Sequence, residues 1–308
     1  MKAIICTKYG PPEVLKIVTL PKPKPNTNEM LIKIVATAVN SGDVRVRGLK
    51  VEGFLYFVFR FVLGFTKPKK PILGNVLSGI VEETGDKITQ FKPGDEIFAM
   101  TGFKFGTYAE YMILTEKDAI ALKPEKANFE EAAAIIFGGN TALHFLQKAN
   151  IANNKMKNVL IYGATGSVGS SAIQIAKSYN AHVTAVCSES GMALAKSLGA
   201  DEVLDYTKQN FCTSGIEYNI IFDAVGKIKK KDCSACLAKG GRFVTVGGLD
   251  VASEKKEQLN TLRTLFDNGL LQAAIDKIYQ LDEIVEAHQY VDTNRKKGNV
   301  VIKVANIK

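Results

Sequence analysis

Three glycines at three-residue intervals, Gly163, Gly166 and Gly169, carry the strongest chemical signal in this chain. They lie between an apolar run that begins at Val159 and a run with helical spacing that ends at Lys177. Such a turn lets the backbone approach a pyrophosphate and directs the free N–H groups of a helix at the anion. A glycine-rich turn of another α/β fold remains the alternative, but a second strand follows at the distance that a dinucleotide site requires. The expected cofactor-binding residues of the turn are Gly163, Ala164, Thr165, Gly166, Ser167, Val168 and Gly169.

The elements that position this turn fall into two halves. Apolar or alternating runs separated by Pro, Gly and Asp turns predict mostly β-strands in residues 1–123, followed by a helix at 129–150 that is broken near Gly138 and Gly139. From Val159 strands and helices alternate, which favours a doubly wound parallel sheet. Its further strands are predicted at 182–187, 202–204, 218–224 and 242–247. Helices are then predicted at 254–268, 273–279 and 281–290, before a last strand at 299–304.

Composition describes an ordinary globular protein of two domains, with 308 residues, 46% hydrophobic and 23% charged. The net charge of +9 favours anionic cofactors, but no aromatic-basic motif is present, so no specific nucleic-acid partner is expected. The apolar segment 54–65 is too short to span a bilayer and contains Arg60. It predicts a buried or cleft-lining helix, with peripheral membrane contact as the alternative and no stable membrane insertion.

Five cysteines are scattered along the chain, and their odd number favours a reducing cytoplasm over a disulfide framework. The first residues run directly into a strand, so no signal peptide is predicted and a cytoplasmic location is expected. Cys233 and Cys236 have CxxC spacing without a second pair. Two packed helical cysteines are the favoured interpretation, and a redox or metal pair is the alternative.

Short motifs typical of one enzyme superfamily lie at 40–43, 47–48, 71–74, 79–81, 91–95, 106–111, 132–134, 141–142, 163–169, 197–201, 223–226 and 298–302. With the order of the elements, they resemble the medium-chain dehydrogenase/reductase superfamily, and within it the zinc-free quinone oxidoreductase-like branch. The resemblance implies an α/β protein with an N-terminal GroES-like β domain and a Rossmann doubly wound parallel sheet. The implied domains are a substrate domain at 1–123, completed by 270–308, and an NAD(P)-binding domain at 124–269.

The zinc ligands of the superfamily's metal-dependent members are not matched here. Asn40 stands at the first ligand position, and Asn75 stands where those members have the histidine of a Gly-His-Glu motif. The three histidines of the chain do not lie near a cysteine at ligand spacing, so no zinc is expected. An alkoxide then lacks a Lewis acid, which disfavours alcohol oxidation.

The remaining chemistry is hydride transfer from a nicotinamide to a small-molecule quinone or α,β-unsaturated carbonyl, aided by a hydrogen bond to the developing enolate. Asn40, Asp43 and Tyr56 are the candidate catalytic residues. For Asn40 and Asp43 the alternative is an Asx cap of a helix at 44–48, and Tyr56 is as well explained by packing.

The cofactor preference depends on the residues after the second strand of the Rossmann half. Ser188 and Ser190 resemble the NADPH-preferring pattern, whereas Glu189 and Gly191 weaken it, so NADPH is favoured and NADH remains possible. The resemblance adds four residues to the cofactor site: Thr141, Tyr206, Val225 and Gly247.

One departure from the family pattern follows Gly248, where relatives continue through a further helix and a sixth strand. This chain reaches Ser253 almost at once. The 248–253 deletion predicts a five-stranded sheet and a homodimer that is weakened, and it lowers the expectation of full activity. Two alternatives therefore stay open: a non-catalytic nucleotide-binding or RNA-associated protein, and a standalone enoyl-thioester reductase.

Overall fold

The computed structural model describes residues 1–49, 60–153, 158–213, 215–248 and 250–306. Tyr56 and the first half of the apolar segment 54–65, residues 54–59, lie outside the described residues. The chain divides into two compact units. The first comprises Met1–Ile136, Glu254–Arg263 and Ile275–Lys308, and the second comprises Phe137–Ser253 and Thr264–Ala274. None of the helices in the described ranges has the length and hydropathy of a membrane span.

The strands and helices follow one another in the expected order, mostly within a few residues of the predicted bounds. The strands are β1 (Lys2–Cys6), β2 (Leu15–Thr19), β3 (Met30–Val39), β4 (Val76–Thr84), β5 (Glu96–Met100), β6 (Tyr111–Leu114), β7 (Ala119–Leu122), β8 (Asn158–Tyr162), β9 (His182–Cys187), β10 (Glu202–Asp205), β11 (Tyr218–Asp223), β12 (Leu237–Thr245), β13 (Ile275–Gln280) and β14 (Asn299–Lys303). The α-helices are α1 (Ser41–Gly48), α2 (Phe129–Lys148), α3 (Ser167–Ser178), α4 (Met192–Ser197), α5 (Lys256–Asp267) and α6 (Ile284–Asp292).

The first unit is built on a mixed sheet with β3 at its centre. Its order is β13-β14-β3-β4-β5-β7, β6 also pairs with β3, and β1 and β2 form a separate hairpin. All but one residue of β3 are buried, which its continuous apolar sequence explains. The helix predicted at 273–279 is wrong, because this segment forms β13, parallel to β14. Its pairing partner is distant in sequence, so local helical spacing did not reveal it.

The second unit is a parallel sheet of five strands in the order β10-β9-β8-β11-β12. The chain moves outward from β8 to β10 on one side and then to β11 and β12 on the other, which is the doubly wound arrangement. The predicted α/β fold is confirmed. No sixth strand continues this sheet within the described ranges, so β12 forms its edge.

Helix α2 runs without a break from Phe129 to Lys148, so the predicted interruption at Gly138 and Gly139 is wrong. A Cβ atom at Gly138 would lie 2.1 Å from the carbonyl oxygen of Ser167. The missing side chain therefore serves the close approach of α2 to the start of α3, and it does not end the helix.

A disulfide joins Cys212 to Cys236, which corrects the expectation of unpaired cysteines. The two residues are 24 positions apart, and their Cα atoms lie 5.0 Å from each other. Nor do Cys233 and Cys236 share a helix, since only a 3-10 turn, Lys230–Cys233, precedes β12. The CxxC spacing indicated Cys233 as the neighbour of Cys236, whereas the fold brings Cys212 to Cys236 instead.

Candidate active site and cofactor cradle

The glycine turn links β8 to α3 at the carboxyl edge of the parallel sheet, where the strand order reverses. Gly163 has a φ of 75°, and Gly166 is the N-cap of α3. A Cβ atom at Gly169 would lie 2.2 Å from the carbonyl oxygen of Gly163, so the helix packs directly on the turn. At Gly166 nothing lies closer than 3.8 Å to such an atom, which leaves open space before the helix N-terminus. Ala164, the second residue of the turn, is buried.

The loop after β11 adjoins the glycine turn. A Cβ atom at Gly163 would lie 2.4 Å from Val225, and one at Gly226 would lie 2.8 Å from the Cα atom of Gly247. Val225 and Gly247, which the sequence placed in the cofactor site, are thus gathered at the same sheet edge as the turn. The part-exposed Val225 side chain offers an apolar surface beside the glycines.

Asp223 holds this loop in place through its hydrogen bonds. The sequence did not identify it as a site residue. Its buried carboxylate accepts hydrogen bonds from the N–H groups of Val225 (3.2 Å), Gly226 (2.9 Å) and Ile228 (3.2 Å), and from Thr245 Oγ1 (2.9 Å). The available signal was an Asp directly after an apolar strand and before Ala-Val-Gly, a common Asx-turn setting.

The residues after β9 and β10 meet at an exposed rim. Ser188 Oγ lies 3.4 Å from Ser190 Oγ, and Lys208 Nζ donates to Glu189 Oε2 at 2.9 Å. Lys208 thus pairs with the carboxylate of the residue between the two serines, a feature that the sequence alone did not show. Ser188 is half-buried and the other three residues are exposed, so these groups are available to an anionic ligand.

Two further contacts place the remaining residues of this rim. A Cβ atom at Gly191 would lie 2.8 Å from Thr165 Oγ1, so the side chain of Thr165 requires a glycine at position 191. Beside the rim, a cavity of about 470 Å³ is lined in part by the rings of Tyr162, Tyr206 and Phe211. The rings of Tyr162 and Tyr206 lie 6.0 Å apart.

Thr141 lies on α2, one turn after Gly138, the residue that contacts the start of α3. Its hydroxyl donates to the carbonyl oxygen of Phe137 at 2.8 Å. This bond within the helix occupies the hydroxyl hydrogen, so Thr141 offers a ligand only the lone pairs of its oxygen and its methyl group.

In the first unit, Asn40 caps helix α1. Asn40 Oδ1 accepts from the N–H groups of Gly42 (2.8 Å) and Asp43 (3.2 Å), and Asp43 Oδ2 accepts from the N–H of Asn40 (3.1 Å). This reciprocal capping box is the capping interpretation that the sequence left open for both residues. In addition, Asn40 Nδ2 donates to Asn75 Oδ1 at 2.7 Å.

The Asp43 carboxyl group is fully buried. Burial raises its pKa to about 7, and hydrogen bonding from the N–H of Asn40, the Tyr108 hydroxyl and the N–H of Gly74 only partly opposes the rise. The hydroxyl of Tyr108 lies 3.2 Å from His288 Nε2, and His288 Nδ1 lies 3.3 Å from a guanidinium nitrogen of Arg47. A chain of buried polar groups therefore leads from Arg47 to the cap of α1.

A further carboxylate, which the sequence analysis missed, lies near Asn75. The N–H of Thr101 donates to the carbonyl oxygen of Asn75 at 2.8 Å, and the next residue, Gly102, packs against Glu254. A Cβ atom at Gly102 would lie 2.1 Å from Glu254 Oε1. Burial raises the pKa of Glu254. No sequence signal identifies this contact, because the two residues are about 150 positions apart.

Comparison with known proteins matches both halves of the chain. Residues 26–125 match the alcohol dehydrogenase GroES-like domain, and residues 167–275 and 249–302 match two profiles described as zinc-binding dehydrogenase. The 2-methylene-furan-3-one reductase of Solanum lycopersicum is 33% identical over 98% of this chain and 79% of its own length. The chloroplastic NADPH-dependent alkenal/one oxidoreductase of Arabidopsis thaliana is 30% identical over the same shares. Among solved structures, the quinone oxidoreductase from Coxiella burnetii superposes with a TM-score of 0.83 at 29% identity, over 99% of each chain.

Proposed function

This chain belongs to the quinone oxidoreductase-like branch of the medium-chain dehydrogenase/reductase superfamily, and we propose that it reduces a quinone or an α,β-unsaturated carbonyl with NADPH and without zinc. The observation that carries the proposal is the cradle at Gly163, Gly166 and Gly169, where bare backbone and a helix N-terminus leave room for a pyrophosphate. Relatives named as alkenal/one and quinone oxidoreductases supply the acceptor class.

The rim at Ser188 supports NADPH over NADH. Hydroxyls at Ser188 and Ser190 suit the 2′-phosphate, and the Glu189 carboxylate that opposed this choice is paired with Lys208. The pairing offsets the negative charge and brings a cation within reach of a phosphate. The aromatic cavity beside Tyr206 suits the flat adenine ring.

Zinc independence is supported by the chemistry of the residues at the ligand positions. Asn40 and Asn75 offer neutral amides that are hydrogen-bonded to each other, whereas zinc in proteins is held by thiolate, imidazole or carboxylate groups. The two residues therefore do not fit a catalytic zinc ion, although the matching profiles carry the description zinc-binding dehydrogenase.

Each unit would contribute a separate part of the reaction. A bound NADPH supplies the hydride. In the second unit, the glycine turn would hold the pyrophosphate, Val225 and Gly247 would border the cofactor, and Thr141 would approach the nicotinamide. In the first unit, the polar groups around Asn40 and Asp43 would stabilise the negative charge that develops on the acceptor oxygen. A weakened homodimer and a cytoplasmic location remain predictions, since relatives include chloroplastic and mitochondrial proteins.

The test is oxidation of NADPH and NADH by purified, chelator-treated protein with a panel of quinones, enones and enoyl thioesters. We expect turnover of quinones or enones, a preference for NADPH and no loss of rate after metal removal. Turnover restricted to thioesters would instead establish the enoyl-thioester reductase. Silence across the panel with intact NADPH binding would contradict the proposal and favour a non-catalytic nucleotide-binding protein.

A further inference from the structure

We infer that Asn75 donates the hydrogen bond to the carbonyl oxygen of the acceptor, while Asn40 positions the Asn75 amide. This assignment rests on the proposed function and names the donor within the same site. By residue type alone, Asn40 is a candidate catalytic residue and Asn75 is only the replacement of a zinc ligand. The hydrogen bonds of the two amides distribute these roles differently.

The orientation of the Asn40 amide is determined by the start of α1. Its oxygen accepts two backbone N–H groups, from Gly42 and Asp43. A flipped amide would point N–H at N–H in both contacts, so the oxygen must face the helix. The Asn40 nitrogen consequently faces Asn75, where it donates at 2.7 Å. The oxygen and one N–H of the Asn40 amide are thus used within the protein.

The same bond determines the orientation of the Asn75 amide. Since Asn40 presents a donor, Asn75 must present its oxygen to it, and the Asn75 nitrogen points away. That nitrogen makes no hydrogen bond with any residue in the described ranges, and the surrounding protein atoms do not enclose it completely. Although Asn75 is only 9% exposed, its two N–H hydrogens therefore remain accessible to a ligand.

The backbone on both sides holds Asn75 in place. Gly74 precedes it with a φ of 82°, and a Cβ atom there would lie 2.2 Å from Thr107 Oγ1. The carbonyl oxygen of Asn75 accepts from the N–H of Thr101 at 2.8 Å, and β4 begins at the next residue. A donor fixed in this way need not reorganise during a reaction.

A second polar group beside Asn75 also lacks a partner. Thr101 Oγ1 is enclosed and makes no hydrogen bond to the described part of the chain. Buried hydroxyls without a partner are rare in folded proteins, and where one occurs a bound water, ion or polar ligand often satisfies it. The Thr101 backbone holds the carbonyl oxygen of Asn75, so this unsatisfied hydroxyl belongs to the residue that positions Asn75.

The chemistry that this donor supports is addition of hydride to the electron-poor carbon of an enone or quinone. The hydride forms a C–H bond, the π-electron pair moves to the carbonyl oxygen, and the resulting enolate takes a proton from solvent water. A neutral amide donor stabilises the enolate oxygen more than the ground-state carbonyl, since the charge on the oxygen grows along the reaction. Loss of one such donor reduces kcat by about 10²–10³-fold in characterised enzymes.

The test is Asn75→Asp, which keeps an oxygen for Asn40 but removes the donor. We expect kcat with a quinone or enone to fall about 10²-fold, while the Kd for NADPH stays unchanged. Asn28→Asp is the matched control, because it adds the same charge at an exposed turn of the same unit. If Asn75→Asp does not fold, Asn75→Ala replaces it and is assessed in the same way.

A second variant tests the positioning role. Asn40→Ser retains a hydroxyl that caps α1 but cannot reach Asn75, so we expect kcat to fall roughly tenfold with little change in KM. Wild-type kcat in a folded Asn75 variant would overturn the assignment while the proposed function stands. If the wild-type protein reduces no acceptor in the panel, the proposed function itself fails and the assignment fails with it.

Discussion

Arg47 donates a hydrogen bond to His288 across 241 positions of sequence, with its NH1 atom 3.3 Å from Nδ1. An arginine cannot accept a hydrogen bond, so Nδ1 is the acceptor and the imidazole proton lies on Nε2, which faces the hydroxyl of Tyr108. Arg47 also donates to Asp292 at 2.6 Å and to the carbonyl oxygen of Gly10 at 3.2 Å. One fully buried side chain thereby fastens α1 to α6 within the first unit.

Replacement of Arg47 tests this connection. Arg47→Met removes the guanidinium donor from Asp292 and His288, and loss of one partner of a buried ion pair costs about 3–5 kcal/mol. We expect the free energy of unfolding in urea to fall by that amount. Arg45→Met, an exposed position on the same helix, is the control and should change stability by less than about 0.5 kcal/mol. Equal stability of the two variants would contradict the role of Arg47.

The pH dependence of stability should show two opposing contributions. Burial is the first cause that lowers the pKa of His288, from 6.5 to about 3, followed by the nearby Arg47 charge. Between these values only the unfolded chain binds the proton, so this contribution is lost as pH falls from 6.5 towards 3. Burial raises the pKa of Asp43 from 3.8 to about 7, so its contribution is present below 3.8 and is lost as pH rises through 7.

Single variants separate these two contributions. Between pH 3.8 and 6.5 we expect His288→Gln to gain stability relative to wild type as pH falls, and Asp43→Asn to lose it. The limiting slope for each is about 1.4 kcal/mol per pH unit. Urea unfolding at several pH values in this window measures both. A slope near zero for either variant would show that the pKa of the replaced group is not shifted in the folded protein.

Two glycines of the cofactor turn should respond differently to alanine. Gly169→Ala places a methyl group against the backbone of Gly163 and Ala164, so we expect it to destabilise the fold by about 1–3 kcal/mol. Gly166→Ala meets nothing within 3.4 Å and should leave stability nearly unchanged, yet it occupies the space through which the pyrophosphate approaches. We expect NADPH affinity to fall about tenfold or more. Thermal unfolding and NADPH titration distinguish the two, and unaltered affinity in Gly166→Ala would place the pyrophosphate elsewhere.

Cofactor preference should depend on the rim at Ser188. Ser188→Asp adds a carboxylate where the 2′-phosphate of NADPH would bind, so it repels that phosphate. The same carboxylate can accept hydrogen bonds from the ribose hydroxyls of NADH. We expect the ratio of kcat/KM for NADPH over NADH to fall by about 1–2 orders of magnitude. Ser197→Asp, exposed on α4, is the matched control. An unchanged ratio in Ser188→Asp would remove this residue from the phosphate site.

The Cys212–Cys236 disulfide predicts a simple thiol count. Denatured, unreduced protein should expose three thiols, those of Cys6, Cys187 and Cys233, and five after reduction. Closing a loop of this length stabilises a fold by about 3 kcal/mol, so a reductant should lower the midpoint of thermal unfolding. Five thiols without a reductant would show that the bond does not form in the purified protein.

Local patterns were sufficient to predict most of the fold. A strand, a glycine turn and an amphipathic helix are each encoded within a few residues, so the alternation after Val159 and the turn at Gly163 were recognisable without a structure. The short passage from Gly248 to Ser253 likewise predicted that the parallel sheet ends at β12, as it does in the described part of the chain. Predictions failed where a contact across the chain replaced the local preference. Gly138 was predicted to break a helix because the sequence does not show its close contact with Ser167. The β13 segment was predicted to be helical because the sequence does not show its pairing with β14.

The chemistry of the site depended on the tertiary structure to a greater degree. Sequence identified Asn40 and Asn75 as residues that do not suit zinc, since the residue types alone decide that question. Which amide presents a free donor depended on two backbone N–H groups and one side-chain contact over 35 positions. The pairing of Lys208 with Glu189 and of Cys212 with Cys236 arose in the same way. The sequence by itself determines which chemical groups are present. Their hydrogen-bond direction, burial and charge pairing are decided only when folding brings distant segments together.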